Sequence, residues 1–173
     1  MTPEHAASRS AYCLLLARIN LPHIQMWQDD QQLDVSPYTK LLNKQTAFLK
    51  GELTSRANLE RFFAQFSEWR SELTESDTLG WQIADLCNAA LYASTECIFD
   101  DACDDIELLN QYVTDIYAQM TELGAETAEL KHYFASIQKE FQSQFSSLRH
   151  IPVSKDFFVW MAEMDVSLFG VAE

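Results

Sequence analysis

Apolar residues recur at alternating spacings of three and four along most of this chain, and that period belongs to the α-helix. Ile106, Leu109, Val113, Ile116, Met120 and Leu123 keep the alternation unbroken. Leu59, Phe62, Phe63, Phe66, Trp69 and Leu73 form a second continuous stripe. Glycine and proline, the residues that punctuate sheets and barrels, number 4 each in 173 positions. Average usage would give about 20 together. Leucine plus alanine total 38 and valine plus isoleucine 14, a balance that favours helix over strand. With 47% hydrophobic residues the chain carries too much apolar surface for intrinsic disorder. The expected fold is all-α, a single-domain helical bundle of about seven to eight helices over residues 1–173.

Local signals divide the chain. Ala7 to Ile19 reads as a first helix, and Pro22 opens a short second helix through Trp27. Ser36 is expected to cap a third, with Pro37 in its first turn and Gly51 as its stop. A fourth runs from about Asn58 to Leu73. Ser76 or Asp77 is expected to cap a long fifth, apolar over a wide arc and therefore central. Asp104 with Glu107 reads as a capping box for the sixth, which Gly124 ends. The seventh carries Leu130 to Leu148. The eighth, about residues 154–169 after a Ser154 cap, is rich in large apolar residues. Such a helix either docks into the core or forms a homodimer contact.

Charge narrows the partners. The formal net charge is −14, from 12 basic and 26 acidic residues. Between Arg70 and Lys131 lie 60 residues with 14 Asp or Glu and no Lys or Arg. Neither nucleic acid nor an anionic membrane surface is an expected partner. No segment reaches the ~18 apolar residues of a membrane span. The run Ala11–Ala17 stops at Arg18 with no cleavage site after it, so a cytoplasmic location is expected. Cys13, Cys87, Cys97 and Cys103 lack CxxC spacing and are expected as buried, reduced thiols.

The sharpest chemical motif is Asp100-Asp101-Ala102-Cys103-Asp104-Asp105, the DDxxD pattern of diphosphate-binding all-α enzymes. On a helix, Asp100, Asp101 and Asp104 share one face and offer oxygen ligands to Mg²⁺. The competing reading is local, since acidic residues stabilise a helix N-terminus. No basic residue lies near in sequence to hold a diphosphate. Asp29, Asp30 and Asp34 form a looser acidic set. Glu129-x-x-His132 has di-iron spacing without a second copy. Glu72-x-x-Glu75 and Glu126-x-x-Glu129 lack the further motif a nucleotide pyrophosphatase needs. Histidines are scattered, and no GxSxG, P-loop or GxGxxG occurs. Asp85 stands out as one acid inside an apolar helix.

Three stretches carry a family likeness. They are Ala11–His23, an apolar helix with Arg18 before Pro22; the amphipathic Leu59–Trp69; and Asp77-Thr78-Leu79-Gly80-Trp81, leading into the alanine-rich Ala84–Ala93. Together, over roughly residues 10–145, the chain resembles the YjaG-like bacterial family, a domain of unknown function numbered 416. The resemblance implies a small all-α cytoplasmic bacterial protein and brings no activity with it.

The expected function is non-enzymatic: a binding or adaptor module whose acidic face, residues 72–129, meets a basic protein surface, with no cofactor. One alternative is a Mg-dependent enzyme on diphosphate or nucleotide substrates, with Asp100, Asp101 and Asp104 as metal ligands. Another is a structural homodimer formed through the C-terminal helix.

Overall fold

The computed structural model describes residues 3–171, so the two residues at either end of the expected 1–173 domain lie outside the described residues. The chain is all-α. Its helices are α1 (Ala6–Ile19), α2 (Leu21–Gln31), α3 (Ser36–Lys50), α4 (Arg56–Ser71), α5 (Leu79–Phe99), α6 (Ile106–Glu122), α7 (Ala128–Ser143) and α8 (Lys155–Ala162). A 3₁₀ turn, Phe145–Ser147, follows α7. No described helix is long and apolar enough to cross a membrane.

The fifth helix is central as expected, packing on α1, α2, α3, α4 and α6, and α1 lies buried along it. Every residue from Ala7 to Ala17 is buried, including Ser8, Arg9 and Ser10. The polar side chains at these positions are hydrogen-bonded inside. Ser10 Oγ donates to the Ser94 carbonyl at 2.7 Å, and Ser94 Oγ donates back to the Ser10 carbonyl at 2.8 Å. Gln45 of α3 reaches the same pair, its Nε2 donating to Ser10 Oγ at 2.8 Å. Small side chains at Ser10, Ala11, Ala90 and Ser94 suit a close approach of α1 and α5. Tyr38 of α3 closes the core from the other side, its hydroxyl donating to the Ala17 carbonyl at 2.7 Å.

Several helix starts differ from expectation for a common reason. Ser, Thr and Asp side chains compete for the same first-turn amides, and spacing alone does not choose among them. Ser36 lies inside α3, and Asp34 receives its backbone N–H at 2.9 Å. At α5 the cap is Thr78, whose Oγ1 accepts from Trp81 N at 3.2 Å, while Ser76 Oγ accepts from Thr78 N. The capping box at Asp104 is not formed, because Asp105 is the boundary residue of α6 and makes no side-chain capping bond. Gly51 does end α3, in the left-handed conformation at φ 78°.

The expected helix over 154–169 stops at Ala162. From Met164 the chain folds back as a tail that Gly170 turns at φ 86°. Side chains of the bundle hold this tail by its backbone. Tyr117 Oη donates to the Leu168 carbonyl at 2.7 Å, Tyr133 Oη to the Val166 carbonyl at 2.8 Å, and Leu168 N to Asn20 Oδ1 at 3.1 Å. Of the apolar residues in this region, Phe157, Met161, Leu168 and Phe169 are buried in the chain's own core.

Candidate functional site

The DDxxD segment is a turn, not a helix face. The α5 helix runs out at Phe99, and Asp100 takes extended backbone angles, φ −137° and ψ 103°. Its Oδ1 accepts the Ala102 N–H at 2.9 Å, which bends the chain toward α6. Asp100, Asp101 and Asp104 are exposed. Having left the helix, they lose the i, i+1, i+4 geometry that would gather their carboxylates.

What shapes the turn comes from the other end of the sequence. Arg9, buried in α1, donates through Nε to the Cys103 carbonyl at 2.8 Å and through Nη2 to the Asp101 carbonyl. Its Nη1 reaches the Glu4 carbonyl at 2.8 Å and the Pro3 carbonyl at 3.3 Å. One guanidinium thus saturates four backbone carbonyls and aims the acidic side chains outward. The local sequence around the motif has no base, but the fold supplies one beneath it. The signal available in the sequence was an arginine flanked by serines inside an otherwise apolar helix.

Among the described residues, the acidic and thiol side chains whose ligand atoms converge are Glu96, Cys103 and Asp105, all within 4.8 Å of one another. Cys103 Sγ lies 3.4 Å from Glu96 Oε2 and 3.7 Å from Asp105 Oδ2. Burial first, and the neighbouring Cys97 and Glu96 next, push the Cys103 thiol well above its ordinary range. The thiol is thus held protonated, its one S–H facing the nearer Glu96 carboxylate with Asp105 just beyond. One soft and two hard ligands do not make the all-oxygen shell that Mg²⁺ demands.

Beside the turn, α6 and α7 enclose a groove of about 510 Å³, with Glu107, Gln111, Thr114, Lys131 and Gln138 in its lining. Tyr12 of α1 bonds to groove side chains, its hydroxyl meeting Asn110 Oδ1 at 2.5 Å and Gln138 Nε2 at 3.3 Å. Burial holds that phenol protonated far above neutral pH. The groove contains no nucleophile beside a base.

The remaining candidates are dispersed. Glu129 and His132 are both exposed, as are Glu72, Glu75 and Glu126. Asp29, Asp30 and Asp34 are exposed at the end of α2 and beyond it. Asp85 is half-buried and partnered, with Arg70 Nη2 at 3.7 Å and the Tyr112 hydroxyl donating at 2.9 Å. Compared with models of known protein families, with curated proteins and with solved structures, the chain matches none.

Proposed function

We propose that this protein is a binding module that engages a basic protein surface through the acidic turn after α5 and the flanking part of α6. The observation that carries the reading is charge left without internal partners. Of the 14 acidic residues between Arg70 and Lys131, all but Asp85, Glu96 and Asp105 are exposed. Among the described residues one ion pair forms, and it belongs to Asp85. Arg9 spends its donors on backbone carbonyls, so the carboxylates of Asp100, Asp101 and Asp104 have no cationic partner among the described residues. Each exposed pair with a partner is worth little, about 0–1 kcal/mol. A row of them raises encounter rate and selects partner sign, with strong dependence on salt.

The test is titration with a lysine-rich peptide, mapped by two-dimensional NMR at low and high salt. Shifts should concentrate at residues 100–108, with affinity falling steeply as salt rises. Neutralising Asp100, Asp101, Asp104 and Glu107 to their amides should weaken binding at least tenfold. Neutralising Glu52, Glu60, Glu68 and Glu163, also exposed, should change it little. Equal loss in both variants would mean that net charge alone is responsible, and the reading would fall.

A further inference from the structure

Trp27, Trp69 and Trp81, from α2, α4 and α5, meet at the N-terminal end of α5. The Trp27 ring centroid lies 6.4 Å from that of Trp69 and 6.1 Å from that of Trp81. The group is braced from outside, because Trp69 Nε1 donates to the Asp34 carbonyl at 3.0 Å. Next to it opens a cleft of about 370 Å³ whose lining includes Trp27, Trp81, Asp30 and Glu72. That volume falls within the ~300–1,000 Å³ of small-molecule sites. Among the described residues, no Lys, Arg or His lines the cleft.

We propose that this cleft binds a single organic cation, an alkylammonium group, between indole surfaces and carboxylates. Indole is the best of the aromatic faces for a cation, and flanking carboxylates supply the countercharge. One feature of the cleft pulls the other way. The start of α5, with the cap residue Thr78 and first-turn Gly80, also lines it, and a helix N-terminus carries roughly half a positive charge. Asp30 and Glu72 bring two carboxylates, and the Thr78 hydroxyl already takes the Trp81 amide of the first turn. The balance favours a cation. The α5 helix has 21 residues, so the cleft lies about 30 Å from the acidic turn at its other end. The site therefore stands or falls apart from the reading of that turn.

The test uses the full chain and tetramethylammonium chloride as probe, followed by tryptophan fluorescence and by the indole N–H signals in two-dimensional NMR. Sodium chloride at equal ionic strength and tert-butanol, a neutral molecule of similar shape, are the controls. The expected result is saturable binding that moves the Trp27 and Trp81 signals together, with tert-butanol at least tenfold weaker. Asp30→Asn with Glu72→Gln, both at exposed positions, should weaken binding about threefold or more and leave the fold intact. Trp81→Leu should weaken it about tenfold. Choline and N-acetyl-lysine methylamide then separate the sources, since the tighter of the two says whether the cation arrives on a small molecule or on a protein side chain. A response that does not saturate, that tert-butanol matches, or that survives neutralisation of both carboxylates overturns the proposal.

Discussion

At the scale of single residues, the interior holds polar groups of opposite character. Ser10, Ser94 and Gln45 are cross-bonded, whereas Asn88 is fully buried with neither side-chain atom paired among the described residues. A buried amide without partners costs about 1–3 kcal/mol. Asn88→Leu is therefore expected to raise stability by about 1 kcal/mol or more in urea unfolding, and a loss would show the amide to be partnered. His23 is the other informative residue. Its Nε2 lies 2.7 Å from Ser167 Oγ, its ring packs edge-on to Phe169, and burial pushes its pKa from 6.5 down to about 4. Folding thus favours the neutral ring. Between pH 6.5 and 4 the unfolded chain binds a proton that the folded chain does not, so stability falls as pH drops through that window. After allowance for solvent screening at this half-buried position, the loss is on the order of 1–2 kcal/mol. His23→Gln should remove that slope, which unfolding midpoints of both proteins at pH 7 and pH 4.5 would show. Neither residue stood out in the sequence, because burial depends on what other elements bring to it.

At the scale of elements, the helical stripes and the Gly51 stop were legible, since each is written in local spacing. The Ser154 cap was legible too; the caps of α3, α5 and α6, the end of α8 and the acidic turn were not. A window around Asp100–Asp105 holds acidic residues that suit a helix face, a capping box or a turn equally well. Arg9 contributes to the choice, and it sits more than ninety positions away. The eighth helix was overextended for the opposite reason, because apolar residues continue past Ala162 but serve a docked tail. Two glycines give a paired prediction. A Cβ at Gly51 meets Pro152 Cβ at 3.0 Å and φ there is 78°, whereas Gly80 lies in a helix with open space around its Cβ. Gly51→Ala should cost about 1 kcal/mol or more, and Gly80→Ala should stabilise by about 0.4–1 kcal/mol. Thermal unfolding of the two single variants checks both signs at once.

At the scale of the whole molecule, the sequence-distant contacts converge on α1 and the tail. Arg9 reaches 94 positions to Cys103, Ser8 140 to Leu148, and Asn20 148 to Leu168. Removing residues 164–173 would leave Asn20, Tyr117 and Tyr133 without these partners and uncover the seat of Phe169. That truncation is expected to lower the unfolding temperature by well over ten degrees, a loss that circular dichroism would show; a truncated chain as stable as the whole would make the tail an ornament. The same wiring has a consequence for biosynthesis. Asn20, at the end of the buried helix, is synthesised 148 residues before Leu168, whose backbone it holds. At about 5–20 residues per second, that interval is roughly 7–30 s. For that time α1 can already pack on α3 and α5, while the Asn20 side chain and the seat of Phe169 wait for the strap that closes them.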